Sequence, residues 1–163
     1  MANLVKSTSQ MVLLILLCLS GNYASEYTSV KTSEKANFYL KSGLKAYKSR
    51  HYSRALQDFQ EAADLGSGEA CYHLGLMYKN GQGTSRKYLR ALQYYQKAGE
   101  LGDARGYYNL GVMYKYGIGV KQDKRTAQRY FQQACDLDHQ DGCEDVEGTE
   151  PYQDLKNTKS HEP

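Results

Sequence analysis

The chain has 163 residues, 24% of them charged and only two of them Pro, with a formal net charge of +3. That length and balance fit one packed domain. They argue against a chain that is disordered as a whole and give no strongly basic footprint of the kind a nucleic-acid binder carries. Sixteen Tyr beside three Phe and no Trp is the notable aromatic bias.

At the N-terminus, Lys6 precedes an apolar run from Met11 to Leu19. The run is too short to span a bilayer and matches the apolar core of a secretory signal peptide. Cleavage is expected after Ser20 or Ala24, so residues 1–24 read as a signal peptide and 25–32 as a linker, with no stable membrane span left after processing. Export then discards Cys18 and leaves Cys71, Cys135 and Cys143, an odd number that in an oxidising compartment suggests one bridge and one spare thiol.

Residues 33–147 are organised by repetition. "YHLGLMYKNGQG" at 72–83 and "YNLGVMYKYGIG" at 108–119 superimpose at an offset of 36, as do "RALQDFQEA" (54–62), "RALQYYQKA" (90–98) and "TAQRYFQQA" (126–134). Each unit predicts two amphipathic helices. The first carries Leu74, Gly75, Met77 and Tyr78, or Leu110, Gly111, Met113 and Tyr114. The second carries Ala91, Tyr95 and Ala98, or Ala127, Phe131 and Ala134, at i, i+4, i+7 spacing. No single pair buries its apolar face, so the units are expected to stack into an all-α solenoid of helical hairpins. Gly81, Gly83, Gly117 and Gly119 turn the chain within each pair, and Asp123 is positioned to cap the helix it precedes. These Gly-x-Gly pairs follow no strand, which argues against a phosphate-binding loop.

These residues resemble the Sel-one-like repeat family, a relative of the tetratricopeptide repeat. Residues 106–134 match its pattern closely, and 70–98 match nearly as well, with Thr84 in place of Val and Lys87 where an aspartate would cap. Residues 33–66 read as a tetratricopeptide-like opening unit, in which "KSRHY" replaces the glycine loop. Cys135 and Cys143 flank His139, a spacing that on one unbroken helix would suggest a metal site. By the repeat register, however, Asp138 falls where Gly66 and Gly102 stop the earlier helices. That turn favours a Cys135–Cys143 disulfide over a metal trio, with free thiols as the remaining alternative. The Cys-x7-Cys spacing at a repeat junction also resembles the secreted cysteine-rich Hcp-like branch of the family, where every junction carries a bridge. Here Ala63 and Gly99 hold the other first positions, and Cys71 reads as a buried core thiol.

By register with the tetratricopeptide groove, Tyr72, His73, Lys79 and Asn80, then Arg105, Asn109, Lys115 and Tyr116, are the candidate partner-binding residues. Lys79, Arg105 and Lys115 would make that face basic, and the tyrosines would supply flat apolar contact. Residues 25–135 carry 18 Lys/Arg against 9 Asp/Glu, whereas 136–163 carry 2 against 9. The expected ligand is therefore an acidic protein or peptide, and residues 148–163 read as a disordered acidic tail. Export and a small mature net charge argue against nucleic acid.

The resemblance also admits a β-lactamase-like hydrolase or penicillin-binding protein, or a peptide- or glycan-binding module. Ser42-Gly-Leu-Lys45 fits Ser-x-x-Lys and Lys41-Ser-Gly43 resembles a Lys-Thr-Gly box. The two overlap on one serine, no strand is predicted for the second, and the histidines fall at unrelated repeat positions. The sequence therefore predicts an exported interaction scaffold with no catalytic residues, metal or cofactor.

Overall fold

The computed structural model describes residues 22–147, with side chains from Ser25 to Val146. Most of the expected signal peptide and the whole expected tail, residues 148–163, lie outside the described residues. Among the described residues seven α-helices follow in order: α1 Asn22–Lys48, α2 Tyr52–Asp64, α3 Gly68–Asn80, α4 Tyr88–Glu100, α5 Ala104–Tyr116, α6 Lys124–Cys135 and α7 Gln140–Glu147. Helices α1/α2, α3/α4 and α5/α6 form antiparallel hairpins stacked in chain order, and α7 packs on α6. The molecule is an all-α solenoid. One expectation needs correcting: residues 25–32 are helical, part of α1, rather than a linker. They contain neither Gly nor Pro, and Thr32 Oγ1 donates to the Thr28 carbonyl at 2.8 Å along the helix.

The second helix of each hairpin buries an equivalent Ala–aromatic–Ala triad: Ala55, Phe59 and Ala62 on α2, Ala91, Tyr95 and Ala98 on α4, Ala127, Phe131 and Ala134 on α6. The ring of each triad lies against a glycine of the first helix. A Cβ at Gly43, Gly75 or Gly111 would sit 2.7, 2.5 or 2.5 Å from an atom of Phe59, Tyr95 or Phe131. Glycine therefore lets the paired helices approach closely enough to clamp the ring, which explains its place in a helix interior despite an entropic penalty of about 1 kcal/mol against alanine. Leu74, Met77, Leu110 and Met113 complete the core between layers.

Turns within hairpins differ. Gly81 and Gly117 end α3 and α5 in the left-handed region (φ 72° and 68°). Asp123 then caps α6 by accepting from Thr126 N, whereas Lys87, at the same position before α4, makes no capping bond. In the first hairpin the turn is tighter, and Arg50 itself takes the left-handed conformation (φ 59°). Turns between hairpins repeat one geometry, with positive φ at Gly66, Gly102 and Asp138. α6 accordingly ends before Asp138, and α7 begins just after His139.

Candidate functional site

Cys135 and Cys143 are joined by a disulfide across that last turn, with Cα atoms 4.6 Å apart. His139, between them, takes no metal-like position. Its ring stacks on Tyr108 with centroids 4.7 Å apart, and its Nδ1 accepts from Gly142 N. No group of His, Cys, Asp and Glu suited to a metal occurs among the described residues. Cys71 is free and buried, and burial pushes its thiol up to about 11.

The eight candidate groove residues lie on α3 and α5, the first helices of two successive hairpins. Spacing of seven and eleven residues places Tyr72 with Lys79, and Arg105 with Tyr116, on one stripe of each helix. The structure brings the two stripes together at Tyr72, where the Arg105 guanidinium lies over the ring, 4.2 Å from its centroid. Burial raises the Tyr72 phenol. Asn109 Nδ2 donates to the Arg105 carbonyl. Tyr116 is 65% exposed at the end of α5, and Asn80 is exposed at the end of α3.

The charge of this face is smaller than the residue types suggest. Arg105 donates through Nε and Nη2 to both carboxylate oxygens of Asp103, at 2.8 and 2.6 Å. That fork holds the guanidinium charge in place and raises its pKa further. Lys115 donates to Asp145 of α7, and this hydrogen bond raises its pKa. Lys79 differs: it is half-buried, has no carboxylate within ion-pair distance among the described residues, and burial lowers its pKa. The basic groove expected from three cations thus reduces to one cation without an acidic partner.

His73 belongs to the packing rather than to the open face. Its ring stacks on Phe59 at 4.9 Å and 7°, and its Nδ1 is buried with no hydrogen-bond partner among the described residues. Burial lowers its pKa, against a weaker upward pull from Glu69. Two further residues frame the face. Tyr47 of α1 donates from its hydroxyl to Gln82, and Tyr108 of α5 packs on Phe131 and His139. Tyr108 stands 36 positions after Tyr72, so the repeat itself could have pointed to it. Nothing in the local sequence announces that Asp103 and Asp145 neutralise Arg105 and Lys115.

The Ser42 motif does not form a catalytic arrangement. Ser42 Oγ donates to Asp58 Oδ2 at 2.7 Å across the first hairpin, Asp58 faces Arg54, and Lys45 is exposed. The hydroxyl ties two helices together, and no strand supports the second element among the described residues.

Comparison with known proteins follows the same periodicity. The Sel1 repeat matches residues 68–103 and 104–139, the two consecutive 36-residue units built here by α3/α4 and α5/α6. Residues 68–139 are two Sel1 repeats. Over 48 residues, 29% of the chain, it is 48% identical to "Putative beta-lactamase HcpE" of two Helicobacter pylori strains, a stretch covering 14% of that protein's length. The fold is similar to that of Helicobacter pylori cysteine rich protein B, at 28% identity and TM-score 0.56, covering 71% of this chain and 95% of the other. It is also similar to a protective antigen of uropathogenic Escherichia coli strains displaying an SLR fold (31% identity, TM-score 0.62, 74% of this chain, 27% of the other). A Sel1 repeat protein from Oxalobacter formigenes matches at 25% identity with TM-score 0.61, over 77% of this chain and 50% of that one. The chain thus spans only a small part of the HcpE relatives. Among the described residues no helix is long and apolar enough to cross a membrane.

Proposed function

We propose that this Sel1-repeat protein is an exported scaffold that docks an acidic segment of a protein partner on the face shared by α3 and α5. Lys79 carries the reading. A half-buried ammonium without a carboxylate partner is held at a solvation penalty that an incoming anionic group would relieve. On the same helix ends Asn80 offers amide hydrogen bonds and the exposed Tyr116 ring offers apolar contact. Tyr72, clamped by Arg105, gives the face a rigid floor. The N-terminal apolar run and the disulfide support passage into an oxidising compartment.

The test is fluorescence anisotropy of the purified, oxidised protein with labelled acidic, neutral and basic peptides and with neutral oligosaccharides. Acidic peptides should bind best, and Lys79→Glu should weaken them at least about tenfold, or about 1.4 kcal/mol. Equal binding by Lys79→Glu, or preference for the oligosaccharides, overturns the reading. N-terminal sequencing of the extracytoplasmic protein should begin at Gly21 or Ser25; an intact Met1 there would refute processing.

A further inference from the structure

We propose that the two long edges of the solenoid join copies of this chain, the edge of hairpin turns on one copy docking on the edge of inter-hairpin turns on the next. In stacked hairpins the turns at 48–52, 80–88 and 116–124 share one edge, and those at 64–68, 100–104 and 135–140 share the opposite one. The edges are separated by a helix length of about 20 Å.

The edges carry opposite charge. Exposed on the hairpin-turn edge are Lys48, Arg50 and Arg54 at the first turn, then Arg86, Lys87 and Arg90 at the second, then Lys121, Lys124 and Arg125 at the third. Stretches 45–54 and 81–90 contain no Asp or Glu, and 117–129 contains only Asp123. On the other edge Glu61 and Asp64, Glu100, then Asp136, Asp138 and Asp141 are exposed. Stretches 61–69, 98–104 and 134–147 contain no Lys or Arg.

Lys48 and Asp141 sit at helix ends that favour their charge, but most of the arrangement runs against the second helices of the hairpins. Cations at the starts of α2, α4 and α6 face the positive end of each macrodipole, and carboxylates at their ends face the negative end. Lys87 stands where Asp123 caps the equivalent helix, and Arg50 occupies a left-handed position that suits glycine better. Contact with opposite charge would offset the unfavourable charge–dipole contacts.

A second copy supplies that charge in register. Both edges present three turns spaced by the same repeat, so the rows of cations and carboxylates match turn for turn. Each edge also exposes apolar surface between its charges: Leu89 is 70% exposed on the basic edge, and Leu101 and Leu137 are 44% and 40% exposed on the acidic one. A polyanion would engage the first edge and leave the acidic edge and its leucines without a role. Docking of unlike edges is heterologous and open-ended, giving growing chains of copies rather than a closed dimer. The groove's Asn80 and Tyr116 border two of these turns, so variants tell the two readings apart: Lys79→Glu tests the groove and Lys87→Glu/Arg90→Glu the edge.

Sedimentation of the purified, oxidised protein tests this. Raising ionic strength from about 0.1 M to about 1 M shortens the screening length from about 10 Å to about 3 Å. The average mass should rise with protein concentration at the lower salt and fall to that of the monomer at the higher. Lys87→Glu/Arg90→Glu and Glu100→Lys/Asp136→Lys should each lose association about tenfold or more while keeping native circular dichroism. Each variant keeps one edge unaltered, the acidic edge in the first and the basic edge in the second, so their equimolar mixture should recover it. A wild-type protein monomeric at every concentration, variants that associate undiminished, or a mixture that stays monomeric would overturn the proposal. So would a monomer retained on heparin through Lys87 and Arg90, which would assign that edge to a polyanion.

Discussion

The junction after the second hairpin and the junction after the third use the same backbone turn and opposite means of holding it. In the former, Gly102 takes φ 86° and Gly99 admits the Tyr107 ring so closely that an added Cβ would lie 2.5 Å from it. In the latter, Asp138 takes φ 62° and the positions of Gly99 and Tyr107 are Cys135 and Cys143, joined covalently. The inner junction is flanked by complete hairpins on both sides. At the outer one the eight-residue α7 is followed by no further described helix, so there is less side-chain surface to hold it. The comparison suggests that a disulfide substitutes for packing where the stack thins out.

Breaking the outer junction should have the largest effect. Replacing both Cys135 and Cys143 with Ser is expected to cost about 2–3 kcal/mol in the chain-entropy picture. Hydrogen exchange should rise first in α7. Cys71, its thiol held near 11 by burial, should stay inert to alkylation until the whole array unfolds. Crowding the inner junction comes next: Gly99→Ala sets a clash with Tyr107 of about 1–3 kcal/mol against a helix-propensity gain of about 1 kcal/mol. A denaturant titration should show net destabilisation. Smaller and opposite in sign, Lys87→Asp should restore the missing cap and raise stability by about 1 kcal/mol, read from the same titration.

The smallest effect is a pH slope. The folded-state pKa of His73 is depressed, so above the ordinary imidazole value of about 6.5 both states are neutral and its contribution is complete. As pH falls below that value the unfolded chain takes a proton first, and stability declines until the folded imidazole also titrates. The melting temperature should therefore fall between pH 7 and 5, and His73→Phe should flatten part of that slope.

The stacked hairpins were legible because period 36 brings the same aromatic and Ala positions round in all three units and the same Gly in the last two, and burial at i, i+4, i+7 admits few other arrangements. The break at Asp138 was legible for the same reason, by register with Gly66 and Gly102. The candidate site was read less well. Arg105 and Lys115 looked like free cations because their neutralising partners depend on how a turn and a terminal helix fold back. His73 looked like a groove residue, yet Phe59 of the preceding hairpin claims its ring. Residues 25–32 looked like a linker after a cleaved leader, and nothing in their composition stops the helix that follows from extending back through them.

What the sequence by itself determined is whatever repeats: helix spacing, the glycine–ring clamps and the places where the chain must turn, since local geometry and burial recur with the residues that impose them. What only the tertiary structure decided is the state of individual charges and the segregation of cations and carboxylates onto opposite edges. Those depend on distances between side chains from different helices, and Coulomb energy and desolvation vary steeply over the few ångströms that separate a paired ion from a free one.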